Sequence, residues 1–462
     1  MTAAAQVPRS AQAAQAAQAA QAAYQALSAT LASQRGRVVA HLARSLGLPH
    51  LGLVEDAVQV ACLRAWQTWG EQGLPLNPAG WLFRVARNEA IDALRVAGRH
   101  DSWPDQADAQ AQSQTQSQTQ SQAEAHVGAQ ALASLPTVAA PEGRFAGELD
   151  DDELALLFAA CHPVVPVASQ VALALRVMAG LDHATLAAGL LCSEAALTQR
   201  LARAREALAG QRLQVPAGHE LPPRREAVLT ALALAFHAGA RARARQVGSE
   251  AAALCWESIR LARSLAAHPA VAHPDADALA AMLLLHGARL TGQHDAAGHI
   301  VLLPGQPRDR WDAGMVRMGL AHLQRASQAR QLSRWHLLAG IAAEHATAVD
   351  YAGTDWTTIV HYYEWLLQLD STAAPRLGHA VAVAEAGEPT RALALLQTLA
   401  AEVPKALAPH LLAAQARAFE RLGQCEQAVT LLLQAQALAP HAAEARALGV
   451  RAMELQALKC GP

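Results

Sequence analysis

The side chains best suited to nucleic-acid chemistry lie in the segment WLFRVARNEAIDALR, at 81–95. At about 100° per residue in a helix, its polar and aromatic side chains share one face: Trp81, Arg84, Asn88, Asp92 and Arg95. The opposite face is apolar: Leu82, Phe83, Ala86, Ala90, Ala93 and Leu94. An aromatic ring, two guanidinium groups and an amide can stack on an unpaired base, hold a phosphate and bond to a base edge. Taken alone, the pattern also fits an ordinary amphipathic helix with a solvated face.

A second candidate lies at 169–208, which is patterned as helix, short helix, turn and helix. Ser193 is a predicted N-cap, because a serine hydroxyl accepts a hydrogen bond from a free backbone N–H at a helix start. The buried seam of the last helix is predicted at Leu197, Leu201, Ala204 and Leu208. The outward positions are Ala195, Gln199, Arg203 and Glu206, with Arg200 and Arg205 on the flanks. In a helix-turn-helix unit the second helix enters a DNA major groove, although such three-helix units also occur without DNA.

The helix before the first candidate is VEDAVQVACLRAW, at 54–66, and the loop at 70–80 leads from it into Trp81. This order of D-x-V-Q, N-P-x-x-W-L and A-R-N-x-x-I-D-x-L-R resembles region 2 of extracytoplasmic-function (ECF) sigma factors of the sigma-70 family. The S-E-A-A-L-x-Q-R-L-x-R-A-R pattern that starts at Ser193 resembles sigma region 4, the reader of the −35 promoter element.

The resemblance implies a role for each matching residue. The contacts with core RNA polymerase would be Glu55, Asp56 and Gln59. The −10 element would be melted and read by Trp81, Arg84, Asn88 and Arg95. The −35 element would be contacted by Ser193, Gln199, Arg200 and Arg203. The sequence departs from the family at Val60, where an acidic residue usually follows the glutamine.

Three further segments resemble the sigma subgroup with a long helical C-terminal extension. They are ELDDDELALLFAACHPVVP at 148–166, GHIVLLPGQPRDRWD at 298–312 and TDWTTIVHYYEWLL at 354–367. AVAVAEAGEPTRALALL at 380–396 resembles the same extension. In that subgroup a D-G-G-like loop precedes the V-L-L run, whereas here Asp295 is followed by Ala296, Ala297 and Gly298. Cys161 and His162 suggest a metal site, but no partner ligands lie at suitable spacing, so we expect a packed helix end there.

The last 90 or so residues contain an internal repeat, a feature typical of stacked helical units. Gly387, Ala392, Leu396 and Pro404 recur 36 residues later as Gly423, Ala428, Leu432 and Pro440. The small and large positions follow the spacing of a tetratricopeptide (TPR) helix pair, in which small residues let two helices approach. A generic array of helical hairpins is the alternative.

The composition predicts an all-α protein and excludes an all-β one. Of the 462 residues 52% are hydrophobic but only 4% aromatic, so helix-forming alanine and leucine supply most of the apolar content. HIVLL at 299–303 is the one candidate strand. We predict a low-complexity tail at 1–23, a region 2 bundle at 24–100, a flexible Gln/Ser/Ala-rich linker at 101–147, a region 4 domain at 148–212 and a TPR-like extension at 220–462.

The chain as a whole carries no excess of positive charge. With 37 basic and 39 acidic residues the formal net charge is −2, and the segments 81–100 and 193–212 each carry only +2. Two such faces on one flexible chain would bind DNA poorly, unless polymerase held both and raised the effective concentration of each.

The sequence also argues against several other classes of protein. Six scattered cysteines argue against a disulfide framework or a structural zinc site. No run approaches the ~18 apolar residues of a membrane span, and no signal peptide is evident, so we expect a cytoplasmic protein without membrane contact. No catalytic or nucleotide-binding motif is present, so we expect no enzyme activity, metal or cofactor. His336 and His345 are expected to be structural or solvated.

The sequence therefore predicts a sigma factor that binds core RNA polymerase and promoter DNA and directs transcription initiation. The fused helical domain would be regulatory, and the sequence leaves the identity of its partner or ligand open. One alternative is a helical-repeat interaction scaffold with a decayed sigma module. A more remote one is an ordinary helix-turn-helix repressor.

Overall fold

The computed structural model describes residues 30–31, 34–100, 152–179, 183–190, 192–245, 249–295 and 297–459. The predicted tail at 1–23 and linker at 101–147 lie outside these residues. The all-α prediction is confirmed. Within the described ranges the HIVLL segment forms no strand, only one bridge between His294 and Ile300, and no helix there is long and apolar enough to cross a bilayer. The chain divides into two compact units, Met1–Ala231 and Leu232–Pro462.

The first unit begins with α1 (34–46), α2 (Leu51–Gln72) and α3 (Pro78–His100). Asn77 starts α3, because its Oδ1 accepts a hydrogen bond from the Gly80 N–H at 2.8 Å, and Pro78 suits the first helical turn. α2 and α3 pack together. Their buried side chains recur at helical spacing: Val54, Val58, Ala61 and Ala65 on α2, and Leu82, Phe83, Ala86, Ala90 and Leu94 on α3.

The rest of the first unit contains α4 (152–160), α5 (Val167–Ala174), a π-helical turn (Leu175–Ala179), α6 (His183–Gly189) and α7 (Glu194–Leu208). This is the predicted order of helix, short helix, turn and helix. The Ser193 N-cap is confirmed, because its Oγ accepts a hydrogen bond from the Ala196 N–H at 3.2 Å. The buried side of α7 is also the predicted one: Leu197, Leu201, Ala204 and Leu208.

The end of α4 is packed, as the sequence predicts. Cys161 is fully buried, and burial raises the pKa of its thiol to about 12. Arg224 reaches this point from α8 (Leu221–Arg245) and donates a hydrogen bond to the Phe158 carbonyl at 2.7 Å. Its guanidinium therefore satisfies one of the free carbonyl groups that every helix end leaves.

α8 begins in the first unit and ends in the second. The second unit continues with α9 (Ser249–Ala267), α10 (Pro274–Ala288), α11 (Ala313–Ala326) and α12 (Arg334–Thr347). α10 is buried at almost every position and packs against α9, α11 and α12. A helix that is apolar on all sides has to be enclosed by others, so α10 forms the centre of this part of the unit.

The chain ends in α13 (Trp356–Leu369), α14 (Ala373–Glu385), α15 (Pro389–Ala400), α16 (Ala408–Arg421), α17 (Cys425–Leu438) and α18 (Ala442–Lys459), each packed on the next. The predicted 36-residue repeat is visible in this series. Gly387 and Gly423 follow α14 and α16 with φ values of 98° and 75°. The equivalent side chains of α15 and α17 are buried: Ala392 and Leu396, and Ala428 and Leu432.

Candidate nucleic-acid interface

α3 presents most of the polar face that its sequence predicts. Arg84, Asn88, Asp92 and Arg95 are exposed, and an ion pair of 3.4 Å joins Arg95 to Asp92. No described residue forms a hydrogen bond or ion pair with Arg84 or Asn88. One guanidinium and one amide, a helical turn apart, are thus exposed to solvent, where they can reach an external phosphate and base edge.

Trp81 is half-buried rather than fully displayed on this face. Its ring contacts the buried Trp69 of α2 edge-on, with 5.2 Å between the ring centroids and 66° between the planes. A ring held in this way loses little freedom when a base stacks on it. Trp69 was not among the predicted residues, because nothing local in the sequence pairs it with Trp81. Ala93, assigned from sequence to the apolar face, lies at the edge of that face and is exposed.

α7 presents the second candidate face. Gln199 and Arg203 are exposed, and Arg200 is half-buried on the flank. Ser193 is exposed at the start of the helix, where its hydroxyl caps the first turn. The N-terminal end of a helix carries partial positive charge and free N–H groups, so Ser193 marks the end of α7 that suits a DNA phosphate.

The three predicted polymerase contacts on α2 fall into two groups. Asp56 and Gln59 are exposed. Glu55 is 2% exposed, and its Oε2 accepts a hydrogen bond from Arg205 of α7 at 2.5 Å. Arg176 lies 4.0 Å from the same oxygen. The structure therefore pairs Glu55 within the chain, a contact that local sequence reasoning missed because Arg205 is 150 residues away.

No metal-binding group is found among the described residues: no three His, Cys, Asp or Glu side chains are placed to share an ion. His336 is buried and structural, since its Nδ1 pairs with the Ser333 hydroxyl at 2.9 Å and its Nε2 lies 3.1 Å from the Ala326 carbonyl oxygen. His345 is half-buried, and burial together with the nearby Arg289 and Arg308 lowers its pKa to about 4.

Residues 31–100 match the family Sigma-70 region 2, and residues 224–327 match a family of unknown function (DUF6596). The chain is 34% identical over 426 residues to Uncharacterized protein R00370 of Rhizobium meliloti (strain 1021), and the alignment covers 91% of this chain and 93% of that protein. No solved structure matches the chain. The Sigma-70 region 2 match contains the described α1, α2 and α3, and with them the whole polar face of α3.

Proposed function

The chain belongs to the same family as the Rhizobium meliloti protein and carries a sigma-70 region 2, and on this basis we propose that it is a sigma factor that acts in transcription initiation. In this proposal it is of the ECF type, recognises −10 and −35 promoter elements when bound to core RNA polymerase, and has a TPR-like regulatory extension. The match of residues 31–100 to Sigma-70 region 2 is the observation that carries the proposal.

The −10 element would be opened on the exposed face of α3. Arg84 and Arg95 supply guanidinium groups for backbone phosphates, and Asn88 supplies an amide for a base edge. The Trp81 ring, held by Trp69, offers a surface on which an unpaired base can stack, an interaction worth ~1–3 kcal/mol. Trapping of one unpaired base favours the melted state of the promoter.

The −35 element would be read by α7 in the major groove. Gln199 and Arg203 project from the exposed side of this helix, and their amide and guanidinium groups can bond to base edges. Ser193 and Arg200 lie nearer the helix start and the flank, where they suit backbone phosphates. The segment 193–212 holds four arginines and two acidic residues, and one of these arginines, Arg205, is paired with Glu55. The charge of this face alone therefore supports only weak binding.

Core polymerase would be bound through the start of α2. Asp56 and Gln59 are exposed and can make that contact directly. Glu55 can take part once its pairing with Arg205 is broken.

Run-off transcription with purified core polymerase tests the proposal, on promoters identified by mapping transcription starts after overexpression. We expect the full chain to support initiation and the double variant Arg84→Ala/Asn88→Ala to lose most of it. The matched control, Arg317→Ala/Gln324→Ala, also removes one exposed guanidinium and one exposed amide, from α11, and should keep full activity.

Two outcomes would contradict the proposal. If the chain never co-elutes with core polymerase, the sigma assignment fails and an interaction scaffold with a decayed sigma module is favoured. If it binds operator DNA tightly without polymerase, a helix-turn-helix repressor is favoured.

The regulatory part of the proposal concerns the extension. The fusion of a helical-repeat domain, with the concave surface that such repeats provide, suggests that it controls access to the DNA-binding faces. A deletion should start after Arg245 rather than at residue 220, because Arg224 of α8 bonds to Phe158 in the first unit. Equal promoter activity and core affinity of the shortened and full chains would remove this part of the proposal.

A further inference from the structure

Four side-chain nitrogens that have no hydrogen-bond partner among the described residues lie together in the second unit. They are Arg289 Nε, Arg308 Nη2, Trp311 Nε1 and His345 Nδ1, all buried. The guanidinium carbons of Arg289 and Arg308 lie 5.5 Å and 4.1 Å from the centroid of the Trp311 ring. Arg308 also donates a hydrogen bond to the His345 carbonyl at 2.5 Å. These four residues are called the anion site below.

The site is built from three separate parts of the unit. Arg289 follows the end of α10, Arg308 and Trp311 belong to a short 3-10 turn and its end, and His345 lies in the last turn of α12. The turn is fixed to α10 by a hydrogen bond from the Asp312 N–H to the Ala288 carbonyl, at 3.0 Å. The geometry of the two arginines is therefore set by the fold.

Within the described part of the chain, the positive charge of the site has no matching negative charge. No described carboxylate lies within ion-pair distance of Arg289 or Arg308, and Asp350 acts on Arg308 only from further away. Burial and the neighbouring Arg308 lower the pKa of Arg289 to about 10. Elsewhere in this unit Arg325, Arg376, Arg391, Arg417 and Arg451 each pair with a carboxylate. Two adjacent, partly desolvated cations without a counter-charge are unfavourable unless an anion joins them.

We propose that Arg289 and Arg308, with the Trp311 N–H, bind the oxyanion group of a small molecule, a phosphate or a carboxylate. A guanidinium presents paired donors that match the oxygens of either group. Arg289 and Arg308 are half-buried residues rather than fully enclosed ones. The site lies entirely within the second unit, and the inference holds whether or not the chain is a sigma factor.

Isothermal titration calorimetry of the full chain tests this site, with inorganic phosphate and malonate as probes and sodium chloride at equal ionic strength as the blank. We expect saturable binding of one phosphate or malonate per chain. Arg289→Gln and Arg308→Gln should each weaken it by roughly tenfold or more. The control Arg317→Gln removes an exposed arginine of α11 and should leave it unchanged.

A second measurement covers the case in which a glutamine variant folds poorly. Arg308→Lys keeps the charge but loses the paired donors, so it should weaken binding less than Arg308→Gln. Without ligand, Arg289→Gln should raise the melting temperature, because it removes one of two repelling charges. Binding of only one probe identifies the preferred group and supports the proposal. The absence of saturable binding for both probes, or an equal loss in Arg317→Gln, would overturn it.

A separate observation concerns the first unit, where the pairing of Glu55 with Arg205 belongs to a wider contact. The Arg35 Nη1 donates to the Arg176 carbonyl at 3.3 Å. His41 and Arg44 of α1 both contact the buried Asp152 of α4, and the His41 Nδ1 lies 2.7 Å from an Asp152 carboxylate oxygen. The segment that matches Sigma-70 region 2 is thus joined by charged pairs to α4, the π-helical turn and α7.

We infer from this contact that the chain has a closed state, in which α7 covers the Glu55 part of the polymerase-binding surface. This inference rests on the proposed function. Glu55 cannot pair with Arg205 and with polymerase at once, so polymerase binding has to break the contact. Only the open fraction of the chains binds polymerase, and the apparent affinity falls in proportion to that fraction.

Hydrogen exchange on the free chain and core-polymerase affinity test the closed state together. Arg205→Met should speed amide exchange at the start of α2, because opening exposes it, and should raise polymerase affinity severalfold. Glu55→Gln should speed exchange in the same way without that gain in affinity, since it also removes a polymerase contact. Arg212→Ala, an exposed arginine just beyond α7, should change neither.

The outcomes separate the closed state from the proposed function. Unchanged exchange in Arg205→Met overturns the closed state. Faster exchange with unchanged polymerase affinity shows that the contact does not limit binding and overturns the inference of occlusion. If no variant binds polymerase at all, the proposed function itself fails, whatever the exchange data show.

Discussion

Glu385 shows how the second unit accommodates a buried charge. Its side chain is 2% exposed, and Arg417 contacts both of its carboxylate oxygens. Glu420 in turn pairs with Arg417 and with Arg451. Alternating charges therefore link α14, α16 and α18. A buried carboxylate is tolerated when a counter-charge and hydrogen bonds accompany it, and the lack of such a partner is what distinguishes the anion site.

The pairing predicts a large effect for one arginine. Arg417→Ala should lower the free energy of unfolding by roughly 3 kcal/mol, because it leaves the buried Glu385 carboxylate without its counter-charge. Urea unfolding followed by circular dichroism measures the change. The control Arg391→Ala removes exposed pairs with Glu388 and Glu364, whose side chains are 54% and 42% exposed, and should cost less than about 1 kcal/mol. Equal losses in the two variants would contradict this account.

The two C-terminal hairpins end their first helices in the same way. Gly387 and Gly423 have left-handed φ values of 98° and 75°. The residue after each glycine donates its N–H to the carbonyl five positions earlier, at 3.1 Å and 2.9 Å respectively. This bond satisfies a free carbonyl and reverses the chain into the next helix. The repeat in the sequence is thus a repeat of helix caps as well as of packing positions.

A side chain at either cap should be destabilising. Gly387→Ala and Gly423→Ala should each cost about 1–2 kcal/mol, because an L-residue is strained at positive φ. Differential scanning calorimetry of the full chain should show a lower melting temperature for both. Gly210→Ala is the control, since Gly210 has no positive φ and no atom within 4 Å of an added Cβ. A neutral result at both caps would show that the caps can relax.

The molecule as a whole has no net positive charge with which to bind DNA by itself. Its formal net charge is −2, and non-specific DNA affinity depends on the number of phosphates that basic groups neutralise. Each proposed DNA-binding face brings only a small excess of arginine. In the proposed function polymerase supplies the missing affinity by holding both faces at fixed spacing.

Mobility-shift assays at two salt concentrations check this dependence. At physiological salt we expect no retention of a promoter fragment by the free chain, and clear retention when core polymerase is added. Any binding by the free chain at low salt should fall steeply as salt rises. Tight, salt-resistant binding without polymerase would contradict this expectation.

The sequence by itself determined the local structure. Helical periodicity was enough to predict the exposed residues of α3 and the buried side of α7, because each depends on neighbours three or four positions away. The Ser193 cap and the 36-residue repeat followed from the same local chemistry. Trp81 and Ala93 were the exceptions on α3, since the first meets α2 and the second lies at the edge of the packed face.

Only the tertiary structure decided which charged side chains are buried and paired within the chain. The sequence predicts Glu55, Asp56 and Gln59 as contacts of one partner, yet Glu55 is buried because Arg205, 150 residues away, folds against it. The sequence does not single out Arg289 or Arg308, but three separate segments bring them to one tryptophan, and no described carboxylate pairs with either. Burial and pairing of a charge depend on all the groups around it in space, and periodicity along the chain carries no information about those groups.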